Sequence, residues 1–318
     1  MGRKLKRPDL EQLPFKMPNF LTPMLMPKYG LAVKSGKFRY QDVRAEGTAQ
    51  TDRTLGTAAT YNHVASASAD YSMDEKDYRA HMDDSEIEQS GGLDKAQQVM
   101  ARIGKRAVFN KIEAETIAAT FGDKANLNPR DIGASLISAV ETAVQTVQDY
   151  AEGRVVLFGA QSMLNRAKRL TEVVSRMTFT GVIAGDPRDV RSISNAQLAN
   201  VLGVDYCLGG PSTASAYGWL GAASAYDGFL GVMVLAEPED TPLDSIQFGR
   251  MFVLEQDNVN SDGTGFEGLF NCYSWYNKDK SSEVVDTTAW IDPIVMNKEL
   301  CIILTGLDEG NTITTTAS

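Results

Sequence analysis

The thirty residues from Gln41 to Asp70 hold only four apolar side chains larger than alanine: Val43, Leu55, Tyr61 and Val64. Ordering a backbone costs about 1–2 kcal/mol per residue. Four such side chains cannot offset that, so the stretch either stays disordered or is ordered by another surface. Part of it nonetheless alternates. In "HVASASADYSM" (His63 to Met73), Ala65, Ala67, Ala69, Tyr71 and Met73 share one parity, and Ser66, Ser68, Asp70 and Ser72 the other. A period of two is that of a strand with one covered face. Carried back through Tyr61 to Ala59, the strand would run about 50 Å at 3.3 Å per residue. Upstream, "GKFRYQDV" begins as a strand with Phe38 and Tyr40 on one side. Two strands joined by a polar tip predict a long β-hairpin over residues 36–84.

Residues 1–30 are unusual in another way. They hold five of the eleven prolines, interleaved with Leu10, Leu13, Phe15, Phe20, Leu21, Met24, Leu25 and Met26. Proline removes donors and blocks helix, so this segment reads as extended, apolar and laid along another surface. Neither it nor 36–84 is expected to order itself.

The remainder is conventional. From Leu93 to Phe121 the chain spaces Ala96, Met100, Ile103, Ala107, Ala114, Ile117 and Phe121 at helical intervals, with Asp94 in the first turn and Gly122 behind. That predicts a helix of about 40 Å, weakened at Gly104. A second helix is expected from Asn128-Pro129, with Ile132, Leu136, Val140, Val144 and Val147 as its stripe and Gly153 at its end. Then "RVVLFG" reads as a strand, "AQSMLNRAKRLTEVVSRM" as one helix, and "SNAQLANVLG" as a short helix with a capping box, Ser194 with Gln197. "VDYCLG", "FLGVMVLA", "SIQFGRMFVLE", "FEGLFNCYSWYN" and "LCIILTGL" read as strands. Helices and strands mix without strict alternation, so the fold class is α+β.

The net charge of −10 is uneven: residues 1–30 carry +4, residues 31–90 carry −4, and the rest −10. So acidic a chain does not grip nucleic acid with its whole surface. The basic block Arg3, Lys4, Lys6 and Arg7 could touch an anionic partner or be a solvated tail. Cys207, Cys272 and Cys301 are odd in number and far apart, which argues against a disulfide framework or structural zinc. The start "MGRKLKR" meets Pro8 and Asp9 rather than an apolar run, unlike a secretory signal.

Catalytic patterns are weak. The two histidines, His63 and His81, sit in no nucleophile or metal motif. "GTGFEG", Gly263 to Gly268, matches the dinucleotide loop, but aromatic "LFNCYSWYN" follows where a helix is required, so a hairpin turn is expected. "NVNSDGTGFEGL" resembles a calcium loop in its first half but ends on Leu269 instead of glutamate. The run "DEKDYRAHMDDSEIE", Asp74 to Glu88, reads as a solvated charged face. No cofactor is expected, and no enzyme.

Two stretches carry a family resemblance. "AVKSGKFRYQDVRAEGTAQ", with its lysine–serine–glycine turn, aromatic strand and "RAEG", is similar to the start of the extended loop in tailed-bacteriophage major capsid proteins of the Hong Kong 97-type fold. "VVLFGAQSMLNRAKR" leading to "ISNAQLANVLGVDYCLGG" resembles that family's strand, helix, short helix and strand succession. The resemblance implies an N-terminal arm (1–30), an extended hairpin loop (31–90), a peripheral domain with a spine helix (91–132), an axial domain (133–286) and peripheral return strands (287–318). It implies a shell of hexamers and pentamers in a virion, assembled in the host cytoplasm around double-stranded DNA, which Arg3, Lys4, Lys6 and Arg7 would touch weakly. Portal and decoration proteins would be separate partners, as would any scaffold, since the chain goes from Met1 directly into the arm. No membrane is involved. Neighbouring subunits would be met by Phe15 and Phe20 of the arm, and by Phe38, Tyr40, Ala65, Ala67, Ala69 and Tyr71 of the hairpin strands. Arg44, Arg53, Leu55 and Tyr61 would do so near its tip. The small-residue loop from Pro211 to Asp227 would lie near the capsomer axis. Some members crosslink a loop lysine to a neighbour; here no lysine stands between Lys37 and Lys76, so cohesion should be non-covalent. Alternatives are a nanocompartment shell of the same fold, a dinucleotide-dependent enzyme using Gly263–Gly268, and a monomeric binding protein with a disordered insert.

Overall fold

The computed structural model describes residues 4–13, 21–43, 66–121, 127–179, 193–210, 228–237, 239–254, 269–278 and 280–307. Two sheets organise them, and a two-stranded ribbon stands apart. The first sheet gathers β1 (Leu5–Lys6), β2 (Lys28–Leu31), β5 (Asp74–Asp83), β10 (Gly249–Leu254), β11 (Asn271–Asn277) and β12 (Ser282–Val295). Its order is β1-β11-β12-β10-β2, and β5 pairs the other side of β12. The 14-residue β12 serves as the backbone of the sheet: antiparallel partners β11 (Ser282–Thr288) and β10 (Ile291–Val295) follow one another along one side, and β5 covers Ser282–Ile291 on the other. The ribbon is β3 (Ser35–Gln41) against β4 (Ser66–Ser72).

Short helices α1 (Pro8–Glu11) and α2 (Thr22–Leu25) lie in the N-terminal segment, and α3 (Asp84–Gln89) follows β5. The long helix α4 runs Leu93–Phe121, as its periodicity predicts, and packs on β12 and β5. Gly104 is not a weak point there. A methyl group built on it would stand 2.4 Å from Thr287 Oγ1 and 2.9 Å from Thr287 Cβ. At the glycine the helix passes close over Thr287 of β12, and the lost side chain is the condition of that contact. The predicted apolar stripe is buried at Ala96, Met100, Ala107, Ile117 and Phe121; Ile103 departs from it at 47% exposed, and Ala101, Val108 and Ile112 widen the buried face. The C-terminal end of α4 joins the core of the other sheet, where Phe121 stacks on Phe248 with centroids 6.0 Å apart and lies 5.1 Å from Phe158.

The second sheet takes β6 (Arg130–Asp131), β7 (Val155–Ala160), β8 (Tyr206–Gly210), β9 (Leu230–Val234) and β13 (Cys301–Thr305), in the order β6-β13-β9-β7-β8. Around it stand α5 (Leu136–Gln148), α6 (Gln161–Ala167), α7 (Thr171–Phe179) and α8 (Asn195–Leu202). Three expectations need correction. The helix expected from Asn128-Pro129 starts at Leu136, because Asn128 has φ 47° and Arg130–Asp131 pair with β13; Ser135 is the true cap, accepting from the Ser138 amide. The single helix expected after β7 is two, α6 and α7, separated at Lys168–Leu170. The third concerns sheet membership, which cuts across the expected segments. β10 and β11, within 133–286, hydrogen-bond into the sheet under α4, whereas Cys301–Thr305, within 287–318, joins the second sheet. The short helix α8 has its expected capping box, and Gly203 closes it at φ 71°, where a side chain would be strained.

The two segments expected not to order themselves do so in part. Leu10, Leu21, Leu25 and Met26 are each buried to 2% exposure or less in this chain's own cores. The end of the expected hairpin region, Asp74–Asp83, is a full ten-residue partner of β12. The burial is supplied by α4 and β12, far away in sequence, so a count of apolar residues within each segment does not contain it.

Candidate assembly surfaces

The ribbon pairs Ser35 with Ser72 through Gln41 with Ser66, so the predicted parity is real over the described residues: Ser66, Ser68, Asp70 and Ser72 are exposed, Ala67 and Ala69 half-buried, Tyr71 buried. At its base the apolar face rests on this chain. Tyr71, 6% exposed, stacks on Phe252 at 5.6 Å, and Phe38 sits 4.5 Å from the same ring. Tyr71 is therefore not free for a neighbouring subunit as expected. Lys34 lies over Trp290, 3.3 Å from the ring centroid, and the Ser72 amide donates to Asp292 Oδ2 at 2.7 Å. Burial raises the Asp292 pKa; the Ser72 amide opposes that shift. Farther along the ribbon Tyr40 faces Ala67, both half-buried.

The other end of β3 is held by an asparagine that the sequence reading did not single out. Asn297, 1% exposed, accepts from the Val43 amide at 3.1 Å and donates from Nδ2 to Gln41 O and Gln247 O, both at 2.9 Å. The Gln41 amide also donates to Pro242 O at 3.0 Å. Gln247 in turn accepts from the fully buried Arg250, which donates as well to the carbonyls of Glu237 and Asp240. The Gln41 end of β3, the crossover from β9 to β10 and the crossover from β12 to β13 are thus joined through one side-chain amide.

The N-terminal segment lies along α4, not out into solvent. Three buried polar residues eight apart hold it: Gln97 bonds Arg7, Lys105 Nζ donates to Glu11 O at 2.7 Å and Leu13 O at 2.8 Å, and Glu113 Oε1 accepts from the Leu21 amide at 3.0 Å. Eight residues are about 12 Å of helix, and polar residues at that spacing on an otherwise apolar face were the signal for this contact. The basic block is committed likewise. Lys4 pairs with the buried Asp286 at 2.9 Å and lies over Trp275, Lys6 is 4.0 Å from Glu11, and Arg7 clasps Asp9 at 2.8 Å. Three of the four cations expected to face DNA thus meet carboxylates of their own chain.

The carboxylate run is an edge strand. On β5, Lys76, Tyr78, Ala80 and Met82 turn toward α4, while Glu75, Asp77, Arg79, His81 and Asp83 turn to solvent. No described strand pairs its second edge, and charges along such an edge discourage stray pairing. Lys76 anchors it by ion pairs to Glu115 on α4 and Asp74. Asp83 then caps α3, accepting from the Glu86 amide at 2.8 Å while Glu86 reaches back to the Asp83 amide.

Phe15, Phe20, Arg3, Arg44, Arg53, Leu55, Tyr61 and Ala65 lie outside the described residues, as do His63, the loop Gly263–Gly268 and the loop Pro211–Asp227. Among the described residues no group of His, Cys, Asp and Glu could hold a metal. No described helix is long and apolar enough to cross a membrane. The three cysteines are free and buried. Burial pushes the Cys207 thiol up to about 12, against the pull of Lys168, and Cys272 up to about 11. Such groups are poor nucleophiles.

No protein-family model and no curated protein matches this chain. Solved structures do. A phage-related protein from Bordetella bronchiseptica RB50 superposes with a TM-score of 0.70 at 14% identity, covering 95% of this chain and 97% of that one. The capsid of cyanophage P-SCSP1u gives 0.55 at 13% identity, over 92% and 90%. A virus-like particle from Pyrococcus furiosus gives 0.51 at 8%, over 90% and 92%. With its long helix on a sheet, its mixed second sheet and its two-stranded ribbon, the chain has the major capsid fold of tailed bacteriophages.

Proposed function

We propose that this chain is the major capsid protein of a tailed bacteriophage, forming hexamers and pentamers that close into an icosahedral shell around double-stranded DNA. The observation that carries this reading is the match to capsid structures over 92% of this chain and 90% and 88% of theirs. The ribbon fits it: β3 is held on the subunit at both ends, and small side chains, Ala67 and Ala69, let a neighbouring chain approach its face closely. In this reading the shell is built in the host cytoplasm, and scaffolding, portal and decoration proteins are separate chains.

Electron microscopy of the purified full-length protein tests it. Closed shells with hexameric and pentameric capsomers are expected; a stable monomer in sedimentation at every concentration would overturn the proposal. A second reading, a nanocompartment enclosing an enzyme, is favoured by the likeness to the Pyrococcus furiosus particle. Contents separate the two: nuclease-protected DNA supports the phage shell, an enriched cargo enzyme the nanocompartment. With no lysine between Lys37 and Lys76, shells boiled in SDS should release the 34.6-kDa chain, not a covalent ladder.

A further inference from the structure

From Lys95 to Ile112, α4 contains no acidic residue, yet it carries Lys95, Arg102, Lys105, Arg106 and Lys111 in a chain of net charge −10. Lys105 is buried and holds the N-terminal segment. Lys95, Arg102 and Arg106 are exposed and fall on one face of the helix, at i, i+7 and i+11, along about 16 Å of its axis. None of the three is paired with a carboxylate among the described residues. That sets them apart from Lys4, Arg7, Lys76, Arg79, Arg154 and Arg176, each within 4 Å of an acid. Arg102 and Arg106 repel each other at i, i+4, where a glutamate would have stabilised the helix. Gln98 is exposed between them, and Val99 and Ile103 are 37% and 47% exposed, an extent ordinary for single surface residues.

We infer that this face of α4 takes the phosphates of duplex DNA. The inference rests on the shell reading above, since it assigns the packaged DNA a surface of the subunit. It also replaces the basic block Arg3, Lys4, Lys6 and Arg7, whose described members are spent on their own acids. Duplex DNA presents a charge about every 1.7 Å of its axis, so three cations over 16 Å find phosphates in any register. Contact is therefore sequence-independent, weak but measurable at low salt for one subunit, and additive over many copies.

The test is fluorescence anisotropy of a labelled 30-base-pair duplex of arbitrary sequence with the purified full-length protein, from 50 to 200 mM NaCl. Three neutralised phosphates predict a slope of log K against log salt near −2.7, an affinity loss of about 40-fold over that range. The triple variant Lys95→Gln, Arg102→Gln, Arg106→Gln should lose most of the binding at 50 mM and flatten the slope, while Arg176→Gln, which removes a cation paired with Glu141, should bind as the parent does. Equal binding by the triple variant overturns the inference, as does no binding by the parent at 50 mM. So does poly-glutamate binding as tightly as the duplex with Val99→Ser, Ile103→Ser abolishing it, which would make the face a dock for an acidic protein segment. Micrographs of the same preparations keep the two proposals apart: parent shells with unchanged DNA binding in the triple variant sink this inference alone, whereas a parent that never forms shells sinks the reading beneath it.

Discussion

Replacing Gly104 with alanine should reverse the usual sign of that substitution. In an exposed helix interior Gly→Ala stabilises by about 1 kcal/mol, through backbone entropy and propensity. Here the new Cβ would stand 2.4 Å from Thr287 Oγ1 and 2.9 Å from Thr287 Cβ. The second distance matters more, because Cβ moves only with the backbone of β12, and β12 is held on both sides by β5 and β11. Overpacking of this kind costs about 1–3 kcal/mol, so the net effect is a loss of up to about 2 kcal/mol after the helix gain is subtracted. Urea unfolding of the purified protein at fixed concentration, with the slope checked for constancy, reads the difference. Thr287→Ala removes the 2.4 Å contact but not the 2.9 Å one, so the double variant should fall short of the sum of the single losses by a measurable coupling. A Gly104→Ala protein more stable than its parent by about 1 kcal/mol would refute the close crossing and return Gly104 to the role of a simple helix weakness.

Other outcomes follow from the same geometry. Asn297→Ala strips the Gln41 and Gln247 carbonyls and the Val43 amide of a buried partner, so about 2–3 kcal/mol of stability should go, with limited proteolysis cutting first near the Gln41 end of β3; unchanged cleavage would show that the clamp is dispensable. The Asp83 pKa is lowered, by the Ser85 hydroxyl first and the Glu86 amide next. Its capping contribution is therefore present at neutral pH and is lost only as pH falls below about 4, through the lowered value, and amide exchange in Asp84–Gln89 should accelerate there and not at pH 5–6. With Cys207 and Cys272 pushed up to about 12 and 11 by burial, and Cys301 raised as well, the native protein should resist thiol reagents at pH 8 and react with three equivalents in denaturant; fast native labelling would contradict the packing. Ala67→Trp should block shell formation while leaving circular dichroism of the subunit unchanged, and normal shells would show that the distal ribbon face meets nothing.

Periodicity carried the regular elements that bury one face. The stripe of Leu93–Phe121 marks α4 to the residue, and Ser194 with Gln197 and Gly203 marks α8 at both ends. The strands of the second sheet were legible as short apolar runs because all but β6 and β8 are buried along nearly their whole length. β5 was missed although it alternates, because its inward residues are Lys76, Tyr78, Ala80 and Met82, and a buried lysine reads as surface until its partner Glu115 is known. β12 escaped because its fully buried stretch contains Glu283, Asp286, Thr287 and Thr288.

The sequence alone determined which segments could be helix or strand, that the chain is α+β, and that the ribbon alternates an alanine–aromatic face with a serine face, since these depend on neighbours within a few residues. Only the tertiary structure decided what each face lies against. The N-terminal segment looked unable to order itself because the posts that hold it, Gln97, Lys105 and Glu113, stand 90 to 94 positions away, and the base of "SASADYS" finds its cover on Phe252. Burial and hydrogen-bond satisfaction are sums over spatial neighbours, and chain order does not contain that sum.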